Sequence, residues 1–149
     1  LVYQPPYSIL NRWPEKEGIL DYLKEEKIGC VVFSPLAQGM LTPKYIEGIP
    51  EGSRAARPEG FLQEEQVIAQ QEKIRALGDL AAAQGMSINH MAINWTLRHR
   101  AVTSSIIGAR TVAQLDDSLN ALNAQELEDP VLQAIDSIAP MTKSKHAEG

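Results

Sequence analysis

The chain has 149 residues, 44% of them hydrophobic, and carries a formal net charge of −5. This length supports one domain with its own core, and the acidic balance argues against a nucleic-acid partner, because proteins that bind the phosphate backbone usually carry a basic face. We expect a small-molecule ligand instead. No apolar run approaches the roughly 18 residues of a membrane span, and no signal-peptide pattern opens the sequence. The single cysteine allows no internal disulfide, so we expect a cytoplasmic protein without a membrane partner.

Strand and helix patterns alternate through the first part of the chain. The sequence begins without methionine, directly in a strand predicted over residues 1–4, and we therefore expect a chain cut in mid-fold. A helix is predicted over residues 15–26, with Gly29 just beyond its end. Residues 30–33 form a continuous apolar run that is typical of a buried parallel strand. Pro35 ends that strand, because proline has no N–H for the strand ladder.

The same alternation continues to the end of the chain. The pattern predicts a loop over residues 34–62, helices over 63–84 and 87–98, a strand over 102–107, a helix over 112–122 and a last helix from 129. Ser87 is expected to cap its helix, and Pro130 to take the first position of the last one. Leu115, Leu119 and Leu122 are expected to face inward, and residues 142–149 to form a frayed tail. Strands alternating with helices indicate a parallel sheet.

The long loop after the second strand is a candidate binding segment. Loops of this length are usually lids, binding segments or disordered linkers. It supplies the hydroxyl of Ser34, a tight turn at Gly39 and the amine of Lys44, and then Arg54 and Arg57. Each basic residue alone is explained as a solvated charge, but three together in an acidic protein favour a ligand.

The junction after the third strand shows a related chemistry. Gly108, Arg110, Thr111 and Gln114 stand at the start of a predicted helix, where free N–H groups and the helix dipole favour phosphate. The guanidinium of Arg110 can clamp a phosphate through two hydrogen bonds. A capping box is an alternative explanation of Thr111 and Gln114, but it leaves Arg110 unexplained.

No pattern in the sequence predicts a metal site. His90 and His99 flank one helix without the spacing of a second ligand, so we interpret both as structural or surface residues. Cys30 is interpreted as a buried core thiol. The residues alone therefore indicate part of a (β/α) barrel or of a doubly wound fold, with phosphate bound where the strands end.

Three motifs resemble the C-terminal half of an aldo-keto reductase. They are QPPYSILNRW at residues 4–13, FSPLAQGMLTPKY at 33–45 and SIIGARTVAQL at 105–115. The similarity is strongest to the branch that includes bacterial glyceraldehyde-3-phosphate reductases and the β subunits of voltage-gated potassium channels. It implies that residues 1–149 form a partial α/β domain, strands 6–8 of a (β/α)8 TIM barrel with their helices, which binds NADPH.

The resemblance assigns the nicotinamide and pyrophosphate contacts to the first two motifs. It implies that Gln4 hydrogen-bonds the nicotinamide carboxamide and that Phe33 stacks on the nicotinamide ring. Lys44 is expected to face the phosphates and Arg54 to close over the cofactor. The residues expected to line the pyrophosphate, through backbone and hydroxyl contacts, are Ser34, Leu36, Gln38 and Gly39.

The third motif is expected to hold the adenosine end, beginning at Gly108. Arg110 and Gln114 would bind the 2′-phosphate and the adenosine; the family often has Ser or Lys at position 110, and Arg favours NADPH over NADH. The family usually has Asn at position 118. Ser118 is too short for the same adenine contact, and Asp117 is expected to accept a hydrogen bond from the adenine amino group instead.

The resemblance places no catalytic residue in this chain. The family's catalytic Asp, Tyr, Lys and His come from the first half of the barrel, and Tyr3, Tyr7 and Lys44 occupy none of the matching motifs. Three interpretations stay open: part of a reductase of aldehydes or ketones that is completed by an N-terminal half, a nucleotide-binding module without turnover similar to a channel β subunit, or an inactive product. Three strands cannot close a barrel, so we expect the isolated chain to self-associate, with a homo-oligomer as one form.

Overall fold

The computed structural model describes residues 1–53, 55 and 62–141. The predictions at Arg54 and Arg57 and the tail at 142–149 lie outside the described residues. The helices and strands are β1 (Val2–Tyr3), α1 (Trp13–Lys16), α2 (Ile19–Glu25), β2 (Gly29–Phe33), α3 (Glu64–Ala83), α4 (Ile88–Leu97), β3 (Val102–Ile106), α5 (Val112–Asn120) and α6 (Asp129–Ile138). Short 3₁₀ turns occupy Ala37–Gly39, Pro43–Tyr45 and Ala121–Asn123.

The three strands form a parallel sheet in the order β1-β2-β3, as the alternation predicted. Tyr3 pairs with Cys30, and Cys30 pairs on its other side with Val102. The register between β2 and β3 shifts after Cys30, and the strands end together at Phe33 and Ile106. Because parallel strands end at the same edge of the sheet, the residues that follow Phe33 and Ile106 are brought together there.

The core lies where the helices cover the central strand. Cys30 and Val32 of β2 are fully buried, as is Trp95 of α4. Burial raises the pKa of the Cys30 thiol, which favours the neutral form. This agrees with its interpretation as a core residue. Within the described part of the chain, no helix is long and apolar enough to cross a bilayer, and no group of His, Cys, Asp and Glu side chains could hold a metal ion.

Two helices have boundaries that differ from the predictions, and one predicted cap lacks its hydrogen bond. The helix predicted over residues 15–26 is divided into α1 and α2 by Gly18, whose φ of 70° is left-handed and interrupts the helical backbone. Ser87 is the N-cap residue of α4 as predicted, but its hydroxyl makes no capping hydrogen bond. Helix α6 begins at Asp129, so Pro130 is its second residue and not its first.

The prediction that three leucines of α5 and of the turn after it face inward is wrong. Leu115, Leu119 and Leu122 are 41%, 49% and 65% exposed, whereas Ser118 is buried. Periodicity identifies an apolar face but not the element that it meets. Strand β3 is at one edge of the sheet, and Ile106 is 44% exposed. In the described chain, no further strand lies beyond β3 to cover these leucines.

Candidate functional site

A cleft of about 710 Å³ opens where β2 and β3 end, within the size range of small-molecule sites. It brings together both predicted junctions and adds Asn89 from α4. Eleven of the predicted binding residues line it: Phe33, Ser34, Leu36, Gln38, Gly39, Lys44, Gly108, Arg110, Gln114, Asp117 and Ser118. Gln4 follows β1, is exposed and does not line the cleft, so its role stays a prediction. Arg54 lies outside the described residues, so its role also stays a prediction.

The turn after β2 has an unusual backbone. Ser34, Ala37 and Gln38 have φ values of 56°, 47° and 60°, in the left-handed region that costs about 1–3 kcal/mol for a residue other than glycine. Hydrogen bonds hold this backbone in place: the Ala37 N–H donates to the Ser34 carbonyl at 2.9 Å, and the Leu41 N–H to the Leu36 carbonyl at 3.1 Å. Strained backbone of this kind is concentrated at ligand sites, and it gives the turn a fixed shape.

Lys44 lies against this turn. Its Nζ is 4.9 Å from the ring centroid of Tyr45, a distance typical of a cation–π contact. A side chain at Gly39, where φ is 100°, would place its Cβ 3.7 Å from the Lys44 Nζ. Glycine at position 39 therefore adopts this positive φ without strain, and its lack of a side chain leaves space beside the Lys44 amine.

Helix α3 anchors the segment that follows Lys44. The Gln71 Nε2 donates to the carbonyl oxygens of Tyr45 and Ile46 at 2.9 and 2.8 Å, and the Arg75 Nε donates to Ile46 at 3.2 Å. Gly78 faces the same point, because a Cβ there would be 2.9 Å from the Ile46 Cδ1. The segment that follows Lys44 is thus hydrogen-bonded to α3.

The junction after β3 combines a helix cap with a basic residue. Thr111 is the N-cap of α5, and its Oγ1 accepts a hydrogen bond from the Gln114 N–H at 3.2 Å. The Gln114 Oε1 accepts from the N–H of Arg110 at 2.9 Å, one residue earlier than the capping box predicts. The amide oxygen of Gln114 is therefore occupied by this cap, and its hydrogen bond orients the backbone of Arg110. Arg110 thus lies at the helix N-terminus, where the helix dipole favours an anion.

Asp117 is held by two neighbouring residues of α4. The Asn89 Nδ2 donates to its Oδ2 at 2.7 Å, and the His90 Nε2 lies 2.9 Å from its Oδ1. The Ser118 hydroxyl donates to the Gln114 carbonyl at 2.9 Å, so it is engaged with the helix backbone. Asn89 was not predicted from the sequence. A polar residue on a helix whose other buried residues are nearly all apolar was the pattern that could have indicated it.

A separate polar cluster lies away from the cleft. This Glu15 cluster consists of Tyr7, Arg12, Glu15 and Arg98, and none of the four lines the cleft. The Glu15 Oε1 accepts from Arg12 and Arg98 at 3.1 and 3.0 Å. Its Oε2 accepts from the Tyr7 hydroxyl and the Arg12 Nε at 2.9 and 3.2 Å. Burial opposes ionisation of Glu15, but Arg12 and Arg98 outweigh that effect and lower its pKa.

The cluster surrounds the indole of Trp95. The guanidinium carbons of Arg98 and Arg12 are 3.8 and 5.1 Å from the indole centroid, and the Tyr7 ring is 4.9 Å away. Arg12 also donates to the Asp136 carboxylate on α6 at 2.6 Å. The Glu15 cluster therefore ties α1, α4 and α6 together.

A parallel sheet with covering helices and a cleft where its strands end is typical of part of an α/β barrel. The model of the Aldo/keto reductase family matches residues 1–140, and the chain belongs to this family. This confirms the resemblance that the three motifs indicated.

Curated relatives lie in the expected branch. The chain is 40% identical over 140 residues to the L-glyceraldehyde 3-phosphate reductase of Escherichia coli strain K12, covering 91% of this chain and 40% of that protein. It is 32% identical over 144 residues to a putative voltage-gated potassium channel subunit beta of Schizosaccharomyces pombe. The match covers 93% of this chain and 42% of that protein. The chain spans less than half the length of these relatives.

Solved structures show the same fold. A glycerol dehydrogenase from Gluconobacter oxydans superposes with a TM-score of 0.75 at 23% identity, covering 97% of this chain and 45% of that one. An aldo-keto reductase from Bacillus halodurans gives a TM-score of 0.72 at 21% identity. The match covers 98% of this chain and 45% of that one. The fold is therefore part of an aldo-keto reductase barrel.

Proposed function

We propose that this chain is the NADPH-binding portion of a carbonyl reductase and that it represents strands 6–8 of the barrel. The observation that carries the proposal is the convergence of both predicted junctions in one cleft. Family membership supports an oxidoreductase, and the 40% identical relative supports glyceraldehyde 3-phosphate or a similar aldehyde or ketone as the substrate. We also propose a cytoplasmic location, which the buried free thiol of Cys30 supports.

The residues of the cleft fit the chemistry of NADPH. Lys44 and Arg110 supply positive charge beside the fixed turn and at the N-terminus of α5, as phosphates require. Phe33, 36% exposed at the end of β2, offers an aromatic ring for the nicotinamide. When bound, NADPH supplies a hydride. The role of this chain is to hold and orient the nucleotide, with Arg110 selecting the 2′-phosphate.

Titration of the purified chain with NADPH, followed by dihydronicotinamide fluorescence, tests the proposal. We expect Arg110→Ala to weaken NADPH binding by roughly 10- to 100-fold, as expected for the loss of a charge-assisted hydrogen bond, and to reduce the preference for NADPH over NADH. Arg100→Ala is the matched control, because Arg100 is exposed and precedes β3 whereas Arg110 follows it. Equal effects of the two substitutions, or no binding at millimolar NADPH, would contradict the proposal.

A nucleotide-binding module without turnover is the second candidate function. Among the described residues that line the cleft, the titratable side chains are Lys44, Arg110 and Asp117, and none of them corresponds to a catalytic residue of the family. Similarity to a channel β subunit also favours it. Binding of NADPH without oxidation by an aldehyde at 340 nm would support this candidate. Aldehyde-dependent oxidation by the 149-residue chain alone would exclude it.

We propose that further barrel strands, an N-terminal half or a second copy, cover the exposed edges. Strands β1 and β3 form the two edges of the sheet, and the apolar face of α5 is exposed beside β3. We expect the 149-residue chain to self-associate in light scattering, and Leu119→Glu to reduce this association. A monomer with a cooperative thermal transition would contradict the proposal.

A further inference from the structure

Two consecutive residues of α4 fix the Asp117 carboxylate at the cleft. The side chain of Asp117 is 56% exposed, and an exposed carboxylate on a helix surface is ordinarily free to change rotamer. Here Asn89 holds one oxygen at 2.7 Å and His90 holds the other at 2.9 Å. Asn89 is only 4% exposed. The carboxylate thus has one defined orientation although it lies beside solvent.

The chemistry of the partners determines the direction of each hydrogen bond. The His90 Nε2 contacts the carboxylate and, at 2.8 Å, the backbone carbonyl of Asp117. Both groups only accept, so the Nε2 carries the hydrogen. Asn89 must likewise turn its Nδ2 toward the carboxylate, so its Oδ1 points elsewhere. That buried oxygen has no hydrogen-bond partner among the described residues, so the hydrogen bond to Asp117 is the one that orients the Asn89 side chain.

The carboxylate keeps the capacity to accept from a ligand. A carboxylate offers about four acceptor sites, and the two hydrogen bonds from α4 use one on each oxygen. A group held in this way accepts hydrogen bonds and cannot donate them. It therefore favours a base with an exocyclic amino group over the corresponding base with a carbonyl oxygen, because two acceptors in contact repel.

We propose that Asn89 and His90 are positioning residues that hold Asp117 for recognition of the amino group on the nucleobase. The inference rests on the proposed nucleotide function and adds to it the two residues of α4 and the selectivity that they create. Asn89 and His90 act through Asp117, so their removal changes selectivity more than it changes the fold.

Two nucleotides that differ at one group test this inference. NADPH carries a 6-amino group on its purine, and the hypoxanthine analogue of NADPH carries an oxygen there. We expect the unmodified chain to bind NADPH at least roughly tenfold more tightly than the analogue. His90→Ala should reduce this ratio severalfold, and the double substitution Asn89→Ala with His90→Ala should bring it close to one.

The controls separate positioning from structure. His90→Gln keeps an N–H donor on a side chain of similar length and should retain most of the ratio, and Asn94→Ala, on the same helix outside the cleft lining, should leave it unchanged. Equal losses of affinity for both nucleotides, with the ratio preserved, would show that the contacts only tie α4 to α5 and would overturn the inference. Binding of both nucleotides with equal affinity by the unmodified chain would overturn this inference alone, whereas no binding of either would overturn the proposed function as well.

Discussion

The carboxylates of Glu15 and Asp117 each connect α4, or the residue that ends it, to another helix. They differ in solvent exposure and in the number of hydrogen bonds that they accept. Glu15, with its side chain 20% exposed, accepts four hydrogen bonds, two on each oxygen, from Tyr7, Arg12 and Arg98. Asp117 is 56% exposed and accepts one on each oxygen from the side chains of α4. Since a carboxylate has about four acceptor sites, protein groups saturate Glu15, whereas Asp117 retains capacity for a ligand. The comparison assigns the first carboxylate to stability and supports the binding role proposed for the second.

The largest effect is expected for Glu15→Ala. Without this carboxylate, two guanidiniums lose a shared partner, and the Arg12 side chain is only 5% exposed. Breaking a buried ion pair in this way costs roughly 3–5 kcal/mol, and the partial exposure of Glu15 favours the lower end. Urea unfolding followed by tryptophan fluorescence measures the change. The control Glu17→Ala removes a carboxylate that is 49% exposed and 4.0 Å from Lys16, and should cost less than about 0.5 kcal/mol.

A smaller loss is expected for Tyr7→Phe. The Tyr7 hydroxyl donates to Glu15 and accepts from Arg98, both at 2.9 Å, and the Tyr7 side chain is fully buried. Hydrogen bonds to charged groups contribute about 1.5–3 kcal/mol, so we expect a loss of about 1.5 kcal/mol in the same unfolding measurement. Tyr22→Phe is the control, because Tyr22 is 58% exposed. A similar loss of unfolding free energy in both variants would show that the hydrogen bonds of the Tyr7 hydroxyl do not contribute to stability.

Acid should weaken the Glu15 cluster in a defined direction. The folded protein lowers the pKa of Glu15 below its ordinary value of 4.5. As pH falls, this carboxylate is therefore protonated in the unfolded chain before it is protonated in the folded protein. The stability that this carboxylate contributes is complete above about pH 4.5 and is lost as pH falls through the folded pKa, with a slope of at most about 1.4 kcal/mol per pH unit. Unfolding free energies of the unmodified chain and of Glu15→Gln should therefore converge below pH 4.5. A constant difference would contradict this.

The smallest effect on stability is expected at the cleft. Asp117→Ala leaves the nearly buried Asn89 amide without its partner, which should cost about 1 kcal/mol, and we expect it to weaken NADPH binding. Asp116→Ala, on the exposed neighbour, should change neither property. If Asp117→Ala destabilised the chain as strongly as Glu15→Ala, the contrast between the two carboxylates would not hold.

The sequence predicted the parts of the molecule that depend on local pattern. The apolar run at Cys30, its stop at Pro35 and the basic residue Arg110 before a helix were sufficient to place both junctions at one edge of a parallel sheet. These features are encoded within a few residues, and the structure brings them to one cleft.

Other parts depend on contacts between distant residues. The leucines of α5 form an apolar face, but periodicity does not say what covers it, and Leu119 is exposed. Asn89 acquires its partner from Asp117, 28 residues later. Gly18 adopts a left-handed conformation that interrupts a helix, and glycine alone does not specify this.

The contact between Gly78 and Ile46 has a consequence for the thermodynamics of binding. Because α3 fixes the backbone at Ile46, the segment that carries Lys44 loses its conformational entropy during folding and not when a ligand arrives. A methyl group at position 78 would be 2.9 Å from the Ile46 Cδ1, so the Ile46 side chain would have to shift, and we expect this to loosen the segment. For the phosphate binding proposed above, the effect would be a less favourable binding entropy, caused by a residue that does not line the cleft.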